Sequence, residues 1–343
     1  MMLLSISLVS FLFFSTIVRV QSNAIASPKV KQLLHYSFYK YEYVHKEFRR
    51  NNCTIGKFIS NDTGYESINY RIRPNVLWNN HSVCRPSSFA IILYLMFKRD
   101  YERRSFLRQH LAQGMIVKGK RIEYMFVVAV EEDNYQLQRE LQEENRIYND
   151  MLVSLHKDNR ANITITVLDA LLWARDYCSE VSYVLKVDGD SFINLGNLVT
   201  YLSTVPRTRF YGGLAIRDTY RRRSVEKRAW YVPDDYPIEK TYYFNLGWGI
   251  ILSNDLVPYI VIGTEYIDLL IRADDPLIGD ILSRISVFPF GDSKGYVIAC
   301  NHYLGTTPPN NIVFLHHLKN ITEFKYIWNN FSYDYSNNSS IPS

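Results

Sequence analysis

Asp188 and Asp190 flank a single glycine at the end of the apolar run Tyr183-Val-Leu-Lys-Val, in a chain of 343 residues. Two carboxylates so placed are hard oxygen donors of the kind that hold Mg²⁺ or Mn²⁺. Gly189 between them lets the backbone bend so that both can converge. A divalent ion held there can clamp a diphosphate and neutralise it as a leaving group. By itself a D-x-D is a weak pattern, shared with any turn that carries solvated aspartates. The apolar strand before it and Phe192-Ile193 after it set this one apart. Lys186, two residues upstream of Asp188, offsets the acidic charge.

Acids at a strand tip need a sheet beneath them. Phe89–Phe97 is a continuous apolar run of strand length, the charged stretch Lys98–Gln113 looks helical, and Tyr124–Val130 reads as a second buried strand. Glu131–Asp150 is predicted to be a polar helix. Ile163–Tyr177 sets Val167, Leu168, Leu171, Leu172 and Ala174 at helical spacing. Tyr183–Val187 is then a third short strand that runs directly into Asp188. Short buried strands alternating with helices predict a parallel sheet covered on both faces, with ligands at the carboxyl ends of its strands. No G-x-G-x-x-G or G-x-x-x-x-G-K-S/T follows any strand, so neither a dinucleotide fingerprint nor a P-loop has support.

Composition narrows the class. With 47% hydrophobic and 15% aromatic residues the chain can bury a sizeable core, which excludes wholesale disorder. A net charge of +5, dispersed along the chain, lacks the clustered basic face that nucleic acid requires. Residues 1–18 carry no charged side chain and Arg19 ends the run. That length suits a signal-anchor or a signal peptide with Val20-Gln21-Ser22 as its cleavage site. Either would send the rest of the chain into the secretory lumen. Asn-x-Ser/Thr sequons at Asn52, Asn61, Asn80, Asn162, Asn320, Asn330, Asn337 and Asn338 agree with that compartment. Cys53, Cys84, Cys178 and Cys300 allow two disulfides in three connectivities. No Cys/His cluster has structural-zinc spacing. The expected organisation is an N-terminal targeting segment over 1–20, a stem over 21–85, a catalytic domain over 86–330 and a polar tail over 331–343.

The motif block resembles that of the luminal β-1,3-galactosyltransferase-type enzymes of glycosyltransferase family 31, which include the Fringe proteins. Their Y-V-L-K-x-D-D-D-x-F-x-N block is present with Gly189 at the middle aspartate. Upstream, Arg104-Ser-Phe-Leu-Arg108 matches the arginines of R-x-x-I-R-x-T-W, with His110 and Leu111 replacing Thr-Trp. Downstream, Phe244-Asn-Leu-Gly247-Trp248-Gly249-Ile-Ile-Leu-Ser253 matches Y-x-x-G-x-G-Y-V-L-S. Asp274-Asp275-Pro276-Leu-Ile-Gly279 matches E-D-V-x-x-G, and His316-His317 with Trp328 matches a late His followed by Trp. Five blocks in order over residues 85–330 carry the resemblance.

The resemblance implies a GT-A type α/β fold, a Rossmann-like mixed sheet flanked by helices, and inverting transfer from a UDP-sugar to a glycan acceptor on a glycoprotein or glycolipid. It implies Asp190 as direct metal ligand, Asp188 as a metal or ribose contact, and one of His316 and His317 completing a Mn²⁺ or Mg²⁺ site. Asp275 is the implied general base. Asp274-Asp275-Pro276 equally reads as an acidic helix cap before Pro at the first helical position. Arg104, Arg108 and Lys186 are implied donor contacts, although Arg99, Arg103, Arg104 and Arg108 also read as a basic outer face. Gly247 and Gly249 would let a sugar approach the backbone and Trp248 would stack on it, or else pack in the core. The basic run Arg221–Arg228 reads as a solvated loop. The expected setting is a single-pass type II Golgi membrane protein with a luminal catalytic domain, or else a secreted or endoplasmic-reticulum protein. Two rival readings are an inactive luminal binding protein on the same scaffold and a lectin-like module that binds glycan without nucleotide.

Overall fold

A computed structural model describes residues 76–78, 82–159, 162–218, 242–267, 273–290, 297–299 and 311–331. The 1–20 segment, most of the 21–85 stem, the Arg221–Arg228 run, Cys53, Cys300, the sequons at Asn52, Asn61, Asn80, Asn337 and Asn338, and the tail beyond Phe331 lie outside these residues.

The strands are β1 (Val76–Trp78), β2 (Ser88–Leu95), β3 (Met115–Val117), β4 (Lys120–Val130), β5 (Met151–Leu155), β6 (Tyr183–Asp188) and β7 (Phe192–Ile193). They continue with β8 (Tyr211–Gly212), β9 (Ala215–Asp218), β10 (Tyr242–Asn245), β11 (Gly249–Ser253), β12 (Val297–Ala299) and β13 (Phe314–His316). The helices are α1 (Tyr101–His110), α2 (Tyr135–Tyr148), α3 (Ile163–Tyr177), α4 (Leu195–Leu202), α5 (Val257–Gly263), α6 (Asp274–Ser283) and α7 (Ile321–Phe331).

The main sheet has the order β1-β5-β4-β2-β6-β11-β8, with β3 paired to β4. Strands β5, β4, β2 and β6 are mutually parallel. Antiparallel pairs flank this parallel core, β1 with β5 and β3 with β4 on one side and β11 with both β6 and β8 on the other, as the mixed sheet implied by the family resemblance requires. Fully buried strands of either direction read as continuous apolar runs, so composition does not report direction. The sheet is therefore mixed. Val76–Trp78, inside the segment read as stem, forms its edge by pairing with β5.

The apolar run of β4 divides by period two once it is placed in the sheet. Tyr124, Phe126, Val128 and Val130 join the core on one face, which α1, α2, α4 and α7 cover through Phe106, Leu107, Leu137, Leu141, Leu198, Phe324 and Trp328. Met125 and Val127 join the other, which α3, α5 and α6 cover. Helix α2 starts where Asn134 Oδ1 accepts from Leu137 N at 3.2 Å, and ends at Asn149 in the left-handed conformation. It is shorter than Glu131–Asp150 because the Asn134 cap and the left-handed Asn149 bound it, after which Met151–Leu155 forms β5 beside β4. A disulfide joins Cys84, ahead of β2, to Cys178 at the end of α3.

A small three-stranded sheet completes the site's support. Strand β13 pairs antiparallel with β7, Phe314 opposite Ile193 and Leu315 opposite Phe192, and parallel with β12. That register carries His316 back along the chain toward the acids just before β7.

Candidate active site

The D-x-D leaves the carboxyl end of β6 through a tight bend. Gly189 N donates to Leu95 O at 2.8 Å, which draws the bend onto the end of β2. A Cβ at Gly189 would lie 2.5 Å from Met96 Sδ and 2.8 Å from Leu95 O. The middle acid of the family pattern has no room here, because a thioether and a carbonyl occupy its place. The bend turns Asp188 and Asp190 toward different partners.

Asp190 faces histidine. His316 Nε2 lies 3.2 Å from Asp190 Oδ1 and 3.8 Å from Asp188 Oδ2. Ligand atoms of Asp190, His316 and His317 all fall within 4.8 Å of one another. Burial pushes the Asp190 carboxyl upward, but the His316 hydrogen bond and the charges of His316, Arg103 and His317 outweigh it and hold it below the usual range. Trp248 is buried and stacks flat on the His316 imidazole, centroids 5.2 Å apart and 3° from parallel, which fixes the ring's orientation. Trp328 packs edge-on against Phe192 at 5.0 Å, beneath the strand that carries the ladder. A carboxylate with imidazole nitrogens at this spacing fits a divalent cation such as Mn²⁺.

Asp188 faces lysine. Lys186, 2% exposed, donates from Nζ to Asp188 Oδ1 at 2.8 Å, reaches Asp274 Oδ2 at 2.9 Å and also bonds Gly247 O. Burial alone would lower the Lys186 ammonium, but Asp188, Asp274 and Asp275 together raise it. Burial raises Asp188 in spite of Lys186's attraction. Asp275 Oδ2 accepts from Gly247 N at 3.1 Å. Burial, reinforced by the Asp274 charge and opposed by Lys186, pushes the Asp275 carboxyl up to about 7.

The expected acidic cap before a proline is corrected. Ala273 is the N-cap of α6, no side chain caps it, and Pro276 is the third helical residue. Proline is tolerated there because first-turn N–H groups have no intrahelical acceptor. Asp274 and Asp275 sit in the first turn, where the helix dipole favours negative charge, and Asp274 is spent on Lys186.

The structure thus brings together Asp188, Asp190, Lys186, Asp275, His316 and His317. It gives other surroundings to the remaining candidates. A Cβ on Gly247 would lie 2.9 Å from Lys186 Nζ and 3.3 Å from Asp275 Cγ, so this glycine admits the charge cluster to the backbone. A Cβ on Gly249 would meet the Phe314 ring at 3.2 Å. Arg104 binds Glu144 at 2.7 Å and 2.8 Å together with Phe97 O and Lys98 O. Arg108 binds Asp150 at 2.8 Å and Glu144 at 2.8 Å. Both arginines spend their guanidinium groups on α2 and the start of β5. With Arg103 and Arg104 buried, the basic outer face is not formed. Asn162 begins α3 with Nδ2 donating to Lys157 O at 2.9 Å, while Asn320 and Asn330 are exposed on the start and end of α7.

The sequence placed Arg103 only on a basic outer face. Its Nη1 donates to Leu318 O at 2.9 Å and its Nη2 to Lys319 O at 3.1 Å, which clamps the chain just after the histidine pair. Nothing in the spacing of three arginines on one helix says which of them faces α7. Met96 was equally silent, being one apolar residue at the end of an apolar run.

The Galactosyltransferase family model matches residues 98–290. The mouse and human proteins "Beta-1,3-galactosyltransferase 1" are each 28% identical to this chain over 254 residues, covering 73% of it and 75% of the relative. The human "Beta-1,3-galactosyltransferase 2" is 28% identical over 257 residues, covering 72% of this chain and 56% of the relative. Among solved structures, the apo form of mouse xyloside xylosyltransferase 1 is 12% identical and covers 67% of this chain and 97% of its own, with a TM-score of 0.33. A superposition that loose adds nothing further about this chain. The family match runs from the loop before α1 past the end of α6, more than half of the sequence, and contains the D-x-D bend, Lys186, Asp274 and Asp275: the chain belongs to the galactosyltransferase family, whose members are glycosyltransferases.

Proposed function

We propose that this protein transfers a hexose, galactose or an N-acetylhexosamine, from a UDP-sugar to a glycan hydroxyl on a glycoprotein or glycolipid, forming a β-1,3 linkage with inversion. The observation that carries the reading is the pair of unlike acidic centres at the end of β6. Asp190 is held ionised beside His316, and Asp275, tied through Lys186 to the same motif, is poised near neutrality. The names of the related β-1,3-galactosyltransferases support the linkage and the galactosyl donor.

A divalent ion, Mn²⁺ or Mg²⁺, held by Asp190 with His316 would offset the charge of the departing diphosphate. The remaining work falls to the chain. Asp275 accepts the proton of the attacking hydroxyl as the new C–O bond forms, a task that suits a carboxyl with its proton affinity near the working pH. Lys186 pairs with both Asp188 and Asp274 and so ties the motif to the helix turn that carries the base. Trp248 keeps the His316 imidazole from turning away from Asp190.

The uncharged stretch 1–18 and the eight sequons support a type II Golgi membrane protein with a luminal catalytic domain. The Cys84–Cys178 disulfide supports an oxidising compartment. The test is a panel of UDP-sugars incubated with the purified protein and Mn²⁺, read as UDP release and as calorimetric UDP binding. Metal-dependent release from UDP-galactose or a UDP-N-acetylhexosamine is the expected result. No UDP binding at millimolar metal overturns the proposal.

A further inference from the structure

At the amino ends of the strands, away from the D-x-D bend, the fold gathers positive charge that the sequence disperses. Lys118 and Lys120 belong to the hairpin between β3 and β4, where Val117 pairs with Lys120. Both turn residues, Lys118 at φ 47° and Gly119 at φ 74°, are left-handed, which is the two-residue turn whose twist matches its flanking strands. Arg207 comes from the loop between α4 and β8. The buried Tyr183 hydroxyl lies 3.0 to 3.2 Å from the Leu202, Val205 and Pro206 carbonyls, and both Asp255 oxygens accept from Arg209 N. Those bonds pin the loop on either side of Arg207. Lys120 Nζ and the Arg207 guanidinium lie 5.2 Å and 5.8 Å from the centre of one ring, that of Phe89. Lys118 Nζ is anchored on Thr200 Oγ1 at 2.7 Å, and the exposed Arg85 leads into β2.

Among the described residues Arg85, Lys118, Lys120 and Arg207 have no acidic partner. Of the acids at this end, Glu123 is buried on Arg121 and Ser88, Asp255 holds Arg209 and Asp176 pairs with Arg175. Glu180, in the turn before β6, is exposed and accepts from Ser179 Oγ. Four cations supplied by three loops suit a ligand with several anionic groups in a row rather than a single phosphate. The ring beneath Lys120 and Arg207 and the pinned loop leave those side chains less freedom to lose on binding. We propose that this end of the sheet is a docking surface for a linear sulfated glycan. Strand β2 sets it on the order of 20 Å from the D-x-D bend, so a chain held there leaves the site open. The choice of a glycan over other polyanions rests on the luminal reading above.

The test titrates the full purified chain by calorimetry with a heparin-derived octasaccharide, with its desulfated form and with an oligoglutamate peptide. The wild type should bind the sulfated octasaccharide about tenfold or more tighter than either comparison ligand. That affinity should fall about tenfold or more between about 0.05 M and about 0.5 M salt. Lys118→Ala, Lys120→Ala and Arg207→Ala combined should lose about tenfold or more in affinity, with UDP release from a UDP-sugar unchanged. Lys325→Ala, which removes a cation of α7 paired with Glu102, should leave octasaccharide binding as it was. No binding by the wild type at the lower salt, or undiminished binding by the triple variant, overturns the surface. Equal or tighter binding of the desulfated form or of the peptide overturns the sulfated glycan as its occupant. Should the triple variant fail to fold, Arg207→Glu, at an exposed loop position, decides in its place. The transfer reading stands or falls separately, on UDP release by the wild type without octasaccharide.

Discussion

Asp190 lies beside the histidines and Asp275 beside the Lys186 cluster, and these surroundings drive the two carboxyls apart. Asp190 meets imidazoles and feels Arg103, and its charge is stabilised. Asp275 lies behind Asp274 against the Gly247 amide, and its charge is discouraged. Identical side chains therefore suit the opposite roles proposed for them, a lasting anion to hold a cation and a base that exchanges its proton near neutral pH. Lys186 supplies the one positive charge among Asp188, Asp274 and Asp275 and opposes the rise that burial imposes on Asp188 and Asp275.

Substitutions break this contrast in graded ways. Asp190→Ala should have the largest effect, eliminating both Mn²⁺-dependent UDP binding and transfer in paired calorimetric and turnover assays. Asp275→Asn should lower transfer by roughly 10²–10⁴-fold, with UDP affinity unchanged. Loss of UDP binding together with surviving turnover would show that the two roles are reversed. The wild-type pH profile sharpens the assignment. A carboxyl raised to about 7 is protonated and idle as a base below that pH and ionised above it. Transfer should accordingly rise with pH up to about 7 and level off beyond, and the residual rate of Asp275→Asn should lack that limb. Lys186→Met should cost about 3–5 kcal/mol in denaturant unfolding at neutral pH, because it strands buried carboxylates without a counter-charge. Gly189→Ala is the mildest. Its Cβ must displace Met96, so unfolding should show a loss of about 1–3 kcal/mol, with the metal ligands still present.

A second contrast lies on α1. Arg103, Arg104 and Arg108 share one helix, yet Arg103 grips the turn after the histidines, while Arg104 and Arg108 neutralise Glu144 and Asp150 on the opposite flank. Residues one and five apart on a helix point to nearby but different neighbours, and the difference is set by which helix lies there. The family resemblance pointed to the pair at positions 104 and 108. In the structure Arg104 and Arg108 pair with Glu144 and Asp150, and Arg103 bonds the backbone after the histidines.

Much of the scaffold was legible because it is written in local patterns. The bounds of α3 coincide with the run read as helical, and β2, β4 and β6 lie where the apolar runs predicted strands. Their edges moved by a few residues where pairing continued or stopped. Strand direction, the short β7–β13 ladder and the edge strand at Val76–Trp78 were not legible, since each depends on a partner distant in sequence.

By itself the sequence determined that two acids end a buried strand, that a lysine precedes them, that further acids begin a helix near residue 274 and that two histidines adjoin each other at 316 and 317. These are facts of order and type, and the chemistry they permit follows from side-chain identity. Only the tertiary structure decided which acid faces imidazole and which faces lysine, why Gly189 has no room for a side chain, and which arginine holds the histidine turn. Such outcomes depend on distances of about 3 Å between groups far apart along the chain, and hydrogen bonds and ion pairs fall off too steeply with distance for sequence order to report them.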